Sequence, residues 1–372
     1  MRKGNCSFLI VIVVLLLANS SLIFPCTTFV LKNSRSLLFG RNLDWYIGTG
    51  LLIVNKKNIE KTALIDSSEN PVKWISKYGS ITFNQVGRDL PYGGMNEMGL
   101  VVEHMSLPKT KYPGKDNRPT IQACQWIQYQ LDNCATIEEI IETDKFLRIV
   151  DKISLFHFLI CDRFGNVAVI EFLDGKMSVK TGKDLPLTVL ANSIYSESLT
   201  TFTTKANTSN DRSLYNFCTA GNMIQNYSDN DATDDIIYSF NILKSVAQGP
   251  STKWSIVYDI KNMKIYFKVF ETPTLVKDQI IFLKEKEVVK TKVIDLSQID
   301  FSCSSPSLLI NLESDNTGLI NNLLEEYSTE INKKYILKAF DYFERLGLPI
   351  QVSDEDLNYL AKYPESFNCG QQ

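Results

Sequence analysis

Histidine is close to absent from this chain, which carries only His104 and His157 among 372 residues. Most thiol and hydroxyl nucleophiles borrow an imidazole as their base, and zinc sites lean on it too. No CxxC or HxxxH spacing occurs, so a metal site finds no support. His157 lies in the apolar stretch Leu155-Phe-His-Phe-Leu-Ile160 and reads as a core residue. His104 follows Glu103 at the end of an expected strand, where pocket lining and plain packing both stay open. Basic excess is missing as well: 39 Lys and Arg against 42 Asp and Glu leave a net charge of −3. A nucleic-acid binder needs a concentrated basic face, so the charge argues against that class. Repeats and low-complexity tracts are absent. The 44% hydrophobic and 22% charged fractions are those of a folded chain with a substantial core.

The one long apolar run, Phe8 to Ala18, follows Arg2 and Lys3 and precedes Asn19, Ser20 and Ser21. That is the layout of a secretory signal peptide, and the run falls short of the roughly 20 residues a bilayer span needs. Cleavage after residue 20 leaves residues 21–25 as a short stub, and the product is expected to be secreted or periplasmic, without a stable membrane anchor. An uncleaved anchor is the competing reading. Eight cysteines less Cys6, which leaves with the peptide, make seven. An odd count in an exported chain implies a free thiol or an intermolecular bond. Cys303 and Cys369 are the easiest pair, buried unpaired thiols suit Cys161 and Cys218, and Cys26 is the odd one needing a role.

From Cys26 onward the pattern is β: residues 26–32 and 37–44 read as a hairpin, with strands at 51–55, 73–82 and 99–105. Helices follow at 119–132 and from Thr136, where Thr136 and Glu139 form a capping box. A second β block covers 155–162, 167–173 and 176–180, the last two joined by Asp174-Gly175, a strong hairpin turn. A strand at 187–192 precedes helices at 211–225 and 232–246, strands at 253–259 and 264–270, and an exposed Lys-rich strand pair at 284–292. Segregated blocks of strands and helices indicate an α+β fold with antiparallel sheets. Beyond about Leu296, Ser304-Ser305-Pro306-Ser307 resembles a linker and 317–327, 329–346 and 354–363 read as helices. The expected division is a catalytic domain over 26–300 and a helical extension over 301–372.

With histidine scarce, Cys26 needs another base. If processing makes it the first residue, its own α-amine, with a pKa of about 7.7–8.0, can take the thiol proton. Residues ahead of Cys26 would turn that amine into a non-basic amide. Pro25 makes ordinary signal-peptidase cleavage at this bond unfavourable, so self-cleavage of Pro25–Cys26 is the economical route.

The residues carry a resemblance. Cys26-Thr-Thr-Phe, then Phe39-Gly-Arg-Asn-Leu-Asp-Trp45, resembles the opening of the choloylglycine hydrolase and penicillin V acylase family of N-terminal-nucleophile (Ntn) hydrolases. It continues in Trp74-Ile-Ser-Lys-Tyr-Gly-Ser80, Gly94-Met-Asn-Glu-Met-Gly-Leu100, Leu190-Ala-Asn-Ser193, Asn210-Asp-Arg212 and Thr252-Lys-Trp-Ser-Ile-Val-Tyr258. The motifs run in order from Cys26 to about Phe270.

The resemblance implies a four-layer α/β/β/α sandwich and hydrolysis of a linear amide C–N bond, without metal or other cofactor. It implies that Arg41 stabilises the Cys26 thiolate, Asp44 holds the α-amine, Asn192 donates to the oxyanion and Arg212 completes the charge network. One position departs from the pattern: Ser106 stands where many relatives carry Asn or an aromatic, which bears on the pocket. Trp45, Ser106 and His104 are the expected substrate-binding residues. Trp74 and Tyr78 also suit an apolar acyl pocket, with core packing as their other reading. The expected partner is a small N-acyl amide, such as a conjugated bile acid, penicillin V or a fatty-acyl amide. Assembly into an oligomer of identical chains stays open. The alternative is an exported binding protein that keeps the fold with a disabled site.

Overall fold

The computed structural model describes residues 25–152, 154–228, 234–270, 274–276, 279–281, 289–345 and 353–370. The expected signal peptide, Cys6, residues 21–24 of the stub and most of the Lys-rich pair lie outside these residues.

Two large sheets face each other. The first orders seven strands as Val189–Leu190, Thr27–Lys32, Leu37–Asp44, Thr252–Asp259, Lys264–Val269, Lys292–Asp295 and Gly318–Leu319, antiparallel except for the last pair. The second orders nine antiparallel strands as Lys176–Thr181, Val167–Leu173, Phe156–Cys161, Val101–Ser106, Pro91–Asn96, Ser80–Asn84, Leu51–Asn55, Leu308–Asn311 and Glu325–Glu326. Phe29, Phe39, Trp254 and Phe267 of the first sheet share one buried cluster with Val54, Phe83, Met95 and Leu159 of the second. Helices cover the outer faces. Ala123–Asn133 lays Trp126 on Phe158 at 4.5 Å, while Phe217 and Ile242, from Arg212–Gln225 and Asp235–Ser245, pack on the first sheet. With both faces covered, the strand Leu37–Asp44 is buried at every residue. The fold is thus the expected four-layer α/β/β/α Ntn-hydrolase sandwich, α+β in class.

Several boundaries differ from the sequence reading. The first helix starts at Ala123, because Thr120–Ile121 pairs as a short strand with Arg148–Ile149. Residues 73–82 split into Lys73–Ile75 and Ser80–Asn84, in different sheets. The strand Pro91–Asn96 and the helix Tyr195–Thr204 were not expected. Residues 317–327 are not a helix; Gly318–Leu319 and Glu325–Glu326 instead extend the two sheets. The remaining C-terminal helices, Thr329–Arg345 and Asp354–Lys362, bury Ile336, Phe343 and Leu360 in the cluster beneath Trp126. Cys303 and Cys369 form a disulfide; Cys26, Cys124, Cys134, Cys161 and Cys218 are free. No helix among the described residues is long and apolar enough to cross a membrane.

Candidate active site

Cys26 stands immediately before the strand Thr27–Lys32, only 7% exposed, and its thiol donates to the Asp44 carbonyl at 3.7 Å. The antiparallel register, Thr27 opposite Asn42 and Thr28 opposite Arg41, brings the start of one strand to the end of the other. Hairpin geometry therefore gathers Cys26, Arg41 and Asp44, although 18 residues separate the thiol from Asp44.

Arg41 reaches across to the second sheet. Its Nε sits 2.8 Å from Glu103 Oε2, both side chains fully buried, and a terminal nitrogen donates to the His104 carbonyl at 3.2 Å. The Tyr258 hydroxyl donates to the other Glu103 oxygen. Gly93, opposite Glu103 in the sheet, leaves room for this carboxylate: a Cβ there would overlap Oε2. Asp44 Oδ1 accepts from the Thr252 hydroxyl, whereas Oδ2 is buried without a hydrogen-bond partner among the described residues.

Cys26, Asp44 and Glu103 are three acids converging on one guanidinium. Burial pushes the Cys26 thiol up to about 11, with Asp44 and Glu103 adding to the rise, while Arg41 and the Asp44 backbone bond hold it down. Burial also raises Asp44 to about 7, against the pull of Thr252, Gln248, Arg41 and Arg212. Glu103 is raised to about 7 by the same cause, opposed by Arg41 and Tyr258. Burial and the Arg41 charge push His104 well down, so its imidazole is neutral. His104 Nδ1 meets the Tyr92 carbonyl at 2.5 Å, and its ring packs against Tyr92 and, at 4.0 Å, Phe156.

Asn192 is nearly buried. Its backbone N–H donates to Ser213 Oγ at 2.8 Å and its Nδ2 to the Ser106 carbonyl at 2.6 Å, which leaves a second N–H on Nδ2. Ser106 thus contributes its backbone to the site. His157, a core residue as expected, fixes the turn before Asn192: Nε2 meets the Ala191 carbonyl at 2.6 Å and Nδ1 meets Glu171 at 3.2 Å. Arg212 is exposed, donating to the Ala247 carbonyl and lying over the Tyr215 ring; it acts on Asp44 through its field. Trp45 is half-buried, edge-on to Tyr46 at 5.1 Å, and its indole N–H is buried with no partner among the described residues. Trp74 belongs to the core, donating to Asp132 at 2.8 Å beside the Tyr129 ring. Tyr78 donates its backbone N–H to the Asp132 carbonyl.

Sequence reasoning missed Glu103, Tyr258, Thr252, Gln248 and Asn216 as neighbours of the site. Thr252 and Tyr258 stood inside a quoted motif and Glu103 beside one, so a signal existed. Gln248 and Asn216 carried none, because neither stands in a motif that the sequence offered. Among the described residues no group of three or more His, Cys, Asp or Glu side chains is placed to hold a metal.

Facing sheets, outer helices and a cysteine at the head of a central strand define an Ntn-type hydrolase framework. The chain belongs to the linear amide C-N hydrolases, choloylglycine hydrolase family, whose model matches residues 26–230 and so opens on Cys26. Penicillin V acylase of Pectobacterium atrosepticum is 26% identical over 191 residues, 46% of this chain and 50% of that protein. The chain thus spans about half the length of that curated relative. The solved penicillin V acylase from Agrobacterium tumefaciens superposes with a TM-score of 0.66 at 25% identity, covering 82% of this chain and 98% of its own. A variant of conjugated bile acid hydrolase from Clostridium perfringens shares the fold at 18% identity, with a TM-score of 0.59 over 80% of this chain and all of its own.

Proposed function

We propose that the chain is an exported amidase whose nucleophile is the thiol of an N-terminal Cys26 and whose base is that residue's α-amine. The carrying observation is the buried group of Cys26, Arg41 and Asp44, assembled at the residue where the family match begins. While Pro25 remains attached, the thiol is held protonated by burial and by two nearby carboxyls. Freeing the amine supplies a base of about pKa 7.7–8.0 beside it. The unpartnered Asp44 Oδ2 is the acceptor that amine would take.

In this reading the amine removes the thiol proton and sulfur attacks the substrate carbonyl carbon. The remaining Asn192 N–H stabilises the oxyanion. The C–N bond then breaks, the leaving amine takes the proton, and the acyl group stays on sulfur as a thioester. Water, deprotonated by the α-amine, hydrolyses that thioester. Half-buried Trp45 and its neighbour Tyr46 favour an apolar acyl group, as in penicillin V, conjugated bile acids or fatty-acyl amides.

The test combines intact mass with turnover. The purified protein should begin at Cys26 and release amine from at least one of penicillin V, a conjugated bile acid and an acyl homoserine lactone. Cys26→Ala should abolish that release. A chain that retains residues ahead of Cys26 and still turns over would refute the mechanism.

A further inference from the structure

The carbonyl of Pro25, the acyl group of the bond to be cut, lies between two side-chain amides. Asn216 Nδ2 donates to it at 3.2 Å and Gln248 Nε2 at 2.6 Å. The donors come from different elements. Asn216 sits one turn after Arg212 in the helix Arg212–Gln225 and is fully buried. Its Oδ1 has no hydrogen-bond partner among the described residues, so the carboxamide is held where only its N–H side is used. Gln248 lies in the loop after Asp235–Ser245, and its backbone N–H donates to Thr252 Oγ1 at 2.8 Å. The same Thr252 hydroxyl donates to Asp44, so this clamp and the nucleophile's acid are tied to one loop.

Core packing alone does not call for two carboxamides on one backbone oxygen. A buried amide with an unsatisfied end costs stability, and nonpolar side chains would fill the same space without that cost. Two N–H donors on a carbonyl next to a thiol are the arrangement that stabilises a developing oxyanion.

We propose that Asn216 and Gln248 form an oxyanion clamp for self-cleavage at Pro25–Cys26, separate from the Asn192 donor used on external amides. This rests on the reading that Cys26 must gain a free amine. The Cys26 thiol attacks the Pro25 carbonyl carbon, closing a five-membered ring, and the carbonyl electron pair moves onto the oxygen between the two amides. As that oxyanion collapses, the C–N bond breaks. The nitrogen keeps the bonding pair and receives the thiol proton, leaving the Pro25 acyl group on sulfur. Water then adds to this thioester; the thiol is restored, Pro25 leaves as a carboxylate, and the α-amine is free. One amide and one water are consumed, with no oxidant, metal or second protein.

The experiment uses the full chain and two donor-free variants of similar size, Asn216→Leu and Gln248→Met. Intact mass over time gives the rate at which the Cys26-terminated form appears. A reagent selective for N-terminal cysteine counts processed chains, so kcat can be expressed per processed chain. Loss of one oxyanion donor typically slows a reaction about 10²–10³-fold. Each variant should therefore process about 10²-fold more slowly, and for Asn216→Leu, since Gln248 also acts on Asp44, processing should slow at least about tenfold more than kcat per processed chain. A cooperative melt within a few degrees of wild type shows that the fold survives, and either variant alone suffices. Processing at the wild-type rate in a folded variant overturns the clamp, as does an equal fall in processing and in kcat for Asn216→Leu. A wild-type chain that never loses the residues before Cys26 overturns both the clamp and the N-terminal-amine mechanism. Normal wild-type processing with unaffected variants overturns the clamp alone.

Discussion

Arg41 is the residue on which the site's charges balance. It is fully buried, and the Glu103 carboxylate at 2.8 Å is its ion-pair partner. Glu103→Gln should therefore lower kcat, because the guanidinium beside Cys26 loses the ion-pair partner that holds it; kcat of the folded variant checks this. Tyr258→Phe, which removes one hydrogen bond to Glu103, should act in the same direction more weakly. Asp44 makes a prediction about pH. Its carboxyl is raised to about 7 in the folded chain against roughly 3.9 when unfolded, so the native state holds the proton more tightly. The stability this brings is fully present below about pH 4 and is lost as pH rises through about 7. In a Cys26→Ala background, where Pro25 stays attached, Asp44→Asn removes the penalty of the buried charge. Its Tm should exceed that of Cys26→Ala alone at pH 8, the gap narrowing as pH falls to 5. A double variant that melts below Cys26→Ala at pH 8 would contradict this account.

At the scale of elements, the site depends on how close two strands can come. Gly93 faces Glu103 across the second sheet, and a methyl at that position would overlap the carboxylate that holds Arg41. Gly93→Ala should destabilise the chain by about 1–3 kcal/mol through overpacking and shift Glu103 off Arg41, so kcat should fall more than KM changes. A melt combined with kcat and KM for the variant checks both parts. The elements themselves were legible wherever a local rule wrote them. The Thr136 capping box opens the helix Ile137–Thr143, and Asp174-Gly175 turns the hairpin between Val167–Leu173 and Lys176–Thr181. The hairpin that joins Cys26, Arg41 and Asp44 was equally readable, since its strands are close in sequence. What could not be read were contacts made by the packing of distant segments. Glu103 meets Arg41 across 62 residues of chain only because two sheets face each other, and Asn216 reaches Pro25 across 191.

At the scale of the whole molecule, the C-terminal extension packs on the core and contributes strands to it. Ser304 to Ser307 read as a linker, yet Leu308–Asn311 pairs with Leu51–Asn55 inside the second sheet. Asn368–Cys369 pairs with Ile59–Thr62, and the Cys303–Cys369 disulfide closes a loop over 66 positions. The tail also covers a buried charge cluster. Lys61 lies 2.7 Å from Asp89 and 2.9 Å from Asp132, with the Phe367 ring 5.5 Å from its ammonium, and Arg88 stacks between Tyr327 and Phe367. Composition showed a helical, polar tail but could not show that four sheet strands and the cover of this cluster came from it. A disulfide across a loop of that length restricts the unfolded chain by about 4 kcal/mol on the chain-entropy model, and typical measured values are about 2–4 kcal/mol. Cys303→Ala should therefore lower the unfolding free energy by about 2–4 kcal/mol. The wild-type protein should lose the same amount on reduction, whereas the variant should not respond to reductant. The disulfide ties the tail to Ile59–Thr62 in a small three-stranded sheet, apart from the strands that carry Arg41, Asp44 and Glu103. At a temperature where both proteins are folded, kcat per processed chain should accordingly stay within about twofold of wild type. A kcat that falls in step with stability would instead show that the tail holds the sheets, and with them Arg41, in working register.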